Sequence, residues 1–175
     1  AKEQKNVTLL LLLFALVPED THCPLDALLL IFNAVHEGSG ASMMHLRKWL
    51  RILINRSLVL GTVDRPSVHD LVWDYTKAQH EPAELREQHR RVVEAFRSSR
   101  PSDVHGRRGF NRTEQASVAL YVCNEVAHHI AGAAGVDVGK ILIGAGVGEI
   151  VGVDRMGSLY EGRDNLNSAK EWFAL

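Results

Sequence analysis

A histidine and an aspartate sit together at Val68-His69-Asp70, within RPSVHDLVWDYT at 65–76, where a Pro-Ser turn runs into an amphipathic stretch. Ser67 and Asp70 have the S-x-x-D spacing of a capping box, which predicts His69 in the first turn of a helix. Unpaired N–H groups and the helix dipole favour an anion at that end. A neutral imidazole carrying its proton on Nε2 could donate to a phosphate there. The plainer alternative is a ring that only packs a turn against the helix.

The other constellations exclude more than they offer. Nine histidines are present: His22, His36, His45, His69, His80, His89, His105 and the adjacent pair His128-His129. Successive helical side chains diverge by about 100°, so that pair does not readily face one ion, and no HExxH or Cys/His zinc spacing occurs. These histidines are expected to face solvent or cap helices. Cys23 and Cys123 have no CxxC partner and read as buried thiols of a reducing compartment. Gly144, Gly146 and Gly148 lack the strand-turn-helix context of a dinucleotide fingerprint. Gly139-Lys140 is followed by Ile141, where a phosphate-binding P-loop needs a hydroxyl for magnesium. No nucleophile-base order can be assembled, so the chain is expected not to be an enzyme by itself, with no catalytic residue and no metal site.

The elements that must position His69 follow from periodicity. With 175 residues and 46% apolar content the chain can bury a core, and a net charge of −1 at a pI near 6.8 excludes a generally basic nucleic-acid binder. Residues 7–17, VTLLLLLFALV, are apolar all round and predict a deeply buried helix ended by Pro18. The run is shorter than the about 20 residues a bilayer demands, and Pro18-Glu19-Asp20 replaces a small-residue cleavage site. A cytoplasmic location with no membrane contact is expected. The AKEQKN start, without Met, reads as a piece of a longer protein.

Pro24 opens a second helix with Leu25, Leu28, Leu29, Ile31 and Phe32 as its stripe, closed by Gly38 and Gly40. Ser42 caps a third, in which Met43, Leu46, Trp49, Leu50, Leu53 and Ile54 recur at helical spacing up to about Ser57. The period then changes to two. Leu58-Val59-Leu60 predicts a strand, Gly61–Pro66 a turn, and Val68 the end of a returning strand. Further helices are expected over 70–79, over 82–99 with Leu85, Val92, Val93 and Phe96 apolar, and over 113–131. The last of these has a stripe of Ala116, Leu120, Cys123, Val126, Ala127 and Ile130. A basic linker with Pro101 and Gly106 to Gly109 separates the last two, and two more helices are expected after residue 133.

This order predicts a mainly α chain: a winged-helix domain of three helices and a small β-hairpin over residues 1–80, a helical domain over 81–132 that begins a superhelical array, and further helices over 133–175. The third helix and hairpin carry Arg47, Lys48, Arg51, Arg56 and Arg65 against Asp64, a local charge of +4. A winged helix used on DNA places that helix in the major groove, so a DNA-binding transcriptional regulator is the alternative function. Nucleic acid is a partner only under that alternative.

Val17-Pro18-Glu19-Asp20, Asn55-Arg56-Ser57-Leu58 and Val68-His69-Asp70 occur in the order and spacing of a known set of motifs. Over residues 8 to about 132, most strongly 46–97, the chain resembles the winged-helix and following helical domains of the STAND (NB-ARC) nucleotide-binding switch proteins. This is the group of apoptotic protease-activating factor and the plant NLR disease-resistance receptors. Valine stands where the family's MHD motif has methionine. The resemblance implies a regulatory fragment of an ATP/ADP signalling switch, with His69 contacting the ADP β-phosphate and Asp70 supporting it. It also implies an upstream nucleotide-binding domain of the same protein, where ADP or ATP would be held, and oligomeric assembly on activation. No cofactor is expected on this chain alone.

Overall fold

The computed structural model describes residues 2–98 and 114–135. The expected basic linker, His105, the glycine-rich run and, past residue 135, the further helices expected over 133–175 lie outside the described residues. Among those described, six α-helices, one 3-10 turn and one antiparallel hairpin make the chain mainly α. No described helix is long and apolar enough to cross a membrane.

Helix α1, Lys2–Leu13, starts earlier than its apolar run and gives way to a 3-10 turn, Phe14–Leu16, before Pro18. Glu3, Gln4 and Lys5 extend the helix into solvent, while Leu10, Leu13, Phe14 and Leu16 are fully enclosed. Helix α2, Leu25–Val35, follows Pro24 and buries Leu25, Leu28, Ile31 and Phe32. Helix α3, Met43–Asn55, opens on the expected Ser42 cap, whose Oγ accepts the His45 N–H. The reciprocal position is filled by a histidine: His45 Nδ1 accepts the Ser42 N–H at 3.3 Å, completing a capping box without Glu or Gln. Trp49, Leu50 and Leu53 face inward from α3, and Phe32 and Trp49 meet ring to ring. Ser57, at φ 55°, ends α3 with Leu58 N–H on the Leu53 carbonyl, the left-handed stop usually made by glycine.

The hairpin lies two residues further along than the alternation implies. Strands β1 (Leu60–Thr62) and β2 (Arg65–Ser67) pair Leu60 with Ser67 and Thr62 with Arg65. Gly61 is therefore a strand residue, not the start of the turn. Its φ of 79° and the Arg65 carbonyl oxygen, 2.5 Å from where a Cβ would stand, explain why no side chain fits. Gly61→Ala is expected to destabilise the fold by about 1–2 kcal/mol, the left-handed backbone penalty with the contact added, measured by urea denaturation. The hairpin is held to the core side by Cys23 N–H on the Pro66 carbonyl and Leu25 N–H on the Asp64 carbonyl.

Helix α4, Asp70–Ala78, leads to α5, Pro82–Ser98, and α6, Glu114–Ala134. Helices α5 and α6 pack on each other and both pack on α2, so one apolar cluster runs from Val7 through Val126. The inward face of α6 is rotated from the expected stripe: Val126 is buried and Ile130 packs against the core as expected, but Leu120 is exposed and Tyr121, Val122, His129 and Ala131 are buried instead. The rotation arises because α6 meets α5 and α2 together, so its buried arc is set by two partners. The side chain of Cys123 lies outside the described set.

Candidate functional site

His69 does not sit in the first turn of α4. It is the N-cap, extended at φ −74° and ψ 150°, and its own Nδ1 accepts the Leu71 N–H at 3.4 Å. Ser67 is not the cap either. It is the buried last residue of β2, paired with Leu60, and stands two residues ahead of the cap that α4 uses. Asp70 is consequently the first helical residue, its carboxylate at the positive end of the dipole. An imidazole that accepts at Nδ1 carries its proton on Nε2, and this nitrogen has no partner among the described residues. The ring is exposed. His69 is therefore a hydrogen-bond donor facing outward from a helix start.

A second segment reaches the same edge. The Pro18–Thr21 turn, closed by Thr21 N–H on the Pro18 carbonyl at 3.2 Å, holds Asp20 at φ 56°. The Trp73 indole N–H donates to the Val17 carbonyl at 2.9 Å and fastens α4 beside that turn. Carboxylate oxygens of Glu19, Asp20 and Asp70 then come within 4.8 Å of one another. Fifty residues apart in sequence, the Val17-Pro18-Glu19-Asp20 and Val68-His69-Asp70 segments share one edge. The three carboxylates are exposed and offer hard oxygen donors to a divalent cation; water solvates them equally well. Their charge opposes a bare phosphate at His69 unless cationic groups or a metal ion come with it.

The basic face is less free than its composition implies. Arg47 pairs with Asp64 at 2.7 Å and Lys48 with Glu3 of α1 at 2.6 Å. Such exposed pairs are weak, worth about 0–1 kcal/mol, but they lower the potential a polyanion would meet. Arg51, Arg56 and Arg65 remain exposed.

The histidines depart furthest from expectation. His129 is 0% exposed and His89 4%, although both were expected to face solvent or cap helices. His89 Nδ1 and His129 Nδ1 lie 3.1 Å apart across the α5–α6 interface. The His128 ring lies beside both, with Nε2 3.1 Å from the Leu16 carbonyl. Phe96 meets His129 edge-on, and Tyr121 adds a tilted ring. Gly132 lies so close to His89 that an added Cβ would be 2.4 Å from the ring. Burial lowers the affinity of all three rings for a proton, His89 to a pKa of about 3. The helical divergence of residues 128 and 129 is real: one ring turns to the 3-10 turn, the other to α5. The sequence held a signal for two of them. His89 continues the Leu85–Val92–Phe96 stripe of α5, and His129 continues Val122–Val126 of α6.

Cys23 is buried as expected, and burial raises its thiol far above the ordinary range, which leaves it unreactive. Comparison with protein-family models, curated proteins and solved structures found no match.

Proposed function

We propose that this chain is the regulatory part of a STAND-type ATP/ADP switch protein, in which a winged-helix segment holds the closed state through His69. The observation that supports this reading is the edge where the Glu19-Asp20 turn and the Val68-His69-Asp70 segment meet, with the His69 Nε2–H directed outward. In this reading an upstream nucleotide-binding domain of the same protein carries ADP and its cationic groups, and His69 completes the β-phosphate contact from across the boundary. Asp70 and the carboxylates beside it keep the isolated chain from attracting nucleotide. ADP favours the closed state only by binding it more tightly than the open one, and His69 supplies part of that difference.

In the longer protein that contains the nucleotide-binding domain, His69→Ala is expected to speed ADP release about 10- to 150-fold. That is the loss of one hydrogen bond to a charged phosphate, about 1.5–3 kcal/mol. An unchanged ADP off-rate removes the assigned role. The alternative, a DNA-binding regulator reading through α3, predicts affinity that falls steeply with salt and with neutralisation of Arg47, Lys48 and Arg51. The ion pairs at Arg47 and Lys48 make this the weaker reading.

A further inference from the structure

Two buried imidazoles that meet nitrogen to nitrogen impose a condition on protons. The 3.1 Å contact between His89 Nδ1 and His129 Nδ1 is a hydrogen bond only while one nitrogen donates and the other keeps its lone pair. Full protonation turns two N–H groups toward each other and ends it. His129 Nε2 is buried without a partner among the described residues, so an imidazolium there would also leave a charged donor unsatisfied. The third ring, His128, ties α6 to the Leu16 carbonyl. The carbonyl of the next residue, Val17, accepts from Trp73 of α4. The cluster thus joins α5, α6 and the 3-10 turn at one point.

We propose that His89 and His129 form an acid-sensitive latch, closed when neutral, whose protonation unseats α6 from α5, while His128 keeps its end of α6 on the Leu16 carbonyl. This does not rest on the nucleotide reading. The charges around the cluster act in one direction, and only the Leu16 carbonyl, on His128, favours a proton. Lys77 of α4 disfavours a proton on His89 and on His128, His128 disfavours one on His89, and both disfavour one on His129. From α6 Tyr121, and from ahead of α2 Cys23, are held neutral by burial and supply no counter-charge, and the half-buried Glu125 of α6, shifted upward by burial, is not among the groups that act on the three rings. Arg86 of α5 lies against Gly135 at the end of α6 and is a further positive group on that side. Among the described residues no carboxylate pairs with any of the three rings. The contrast is His80, whose Nδ1 lies 3.6 Å from Glu84.

The test is amide hydrogen exchange on the chain at pH 7 and pH 5, corrected for intrinsic exchange rates. Protection across residues 121–131 is expected to fall at least roughly 25-fold, the linkage factor for a ring moved from 6.5 to about 3. The amides of α3, which open only with the whole fold, are expected to stay better protected than those of α6 at pH 5. The double variant H89Q/H129Q, which keeps amide hydrogen bonding without titration, is expected to flatten that fall. Unchanged α6 protection at pH 5, α6 protection no lower than that of α3 at pH 5, or the same fall in the double variant overturns the latch. If the double variant does not fold, titration of the wild-type histidine C2 protons by NMR decides it. Midpoints for His89 and His129 well below the ordinary range support the latch, and ordinary midpoints overturn it.

Discussion

Phe96→Ala is expected to lower the unfolding free energy by about 3–5 kcal/mol at pH 7.5, read from urea denaturation. The ring is 2% exposed, set edge-on to Tyr121 at 6.3 Å and to His129 at 5.3 Å, on the side of α5 that faces α6. Truncation removes a large apolar contact and leaves a cavity beside Tyr121 and His129. The same cavity would admit water beside His129. The variant should therefore also lose stability less steeply on acidification, because a hydrated imidazole regains its ordinary proton affinity. Phe96→Leu keeps most of the volume and is expected to cost about 1.5 kcal/mol or less. Equal stability of the alanine variant and the wild type would place the ring outside the core.

Acid itself is expected to produce the second large effect. His36, His89, His128 and His129 all have proton affinities below the ordinary histidine value, chiefly because burial penalises the imidazolium. The unfolded chain therefore binds these protons more tightly than the folded one. Stability is complete above the unfolded value of 6.5 and declines as pH falls through it toward each folded value, about 3 for His89. At pH 5, His89 alone removes about 2 kcal/mol, and the other three add in the same direction. Glu125, shifted upward by burial, acts the opposite way, as one half-buried group against four rings. Urea midpoints at pH 7.5, 6 and 5 check this, and a flat profile would contradict the burial of the cluster.

The helical grammar of the chain was legible residue by residue. Ser42, Pro24 and Pro82 mark helix starts where helices do start, and the Leu46–Leu53 and Val92–Phe96 spacings name faces that are in fact buried. Each of these depends on chemistry local to a turn or two of backbone. The hairpin was legible as a change of period but misplaced by two residues, because its register is set by pairing Leu60 with Ser67 and by contacts from Cys23 and Leu25. The cap of α4 likewise stands two residues past Ser67, at His69.

The candidate site divides in the same way. His69 and Asp70 could be chosen from sequence because their types and position at a helix start carry chemistry whatever the fold. Their meeting with Glu19 and Asp20 could not, since it rests on Trp73 reaching the Val17 carbonyl across 56 positions. Nor could the character of His89 and His129. A histidine on an apolar stripe reads as a polar interruption until a second helix brings another beside it, and only then does burial make its proton costly. Sequence alone determined the elements and the residue types, because backbone propensity and periodicity are local. Tertiary structure decided which side chains meet and which lose water, because charge, hydrogen bonding and proton affinity depend on neighbours that only packing supplies.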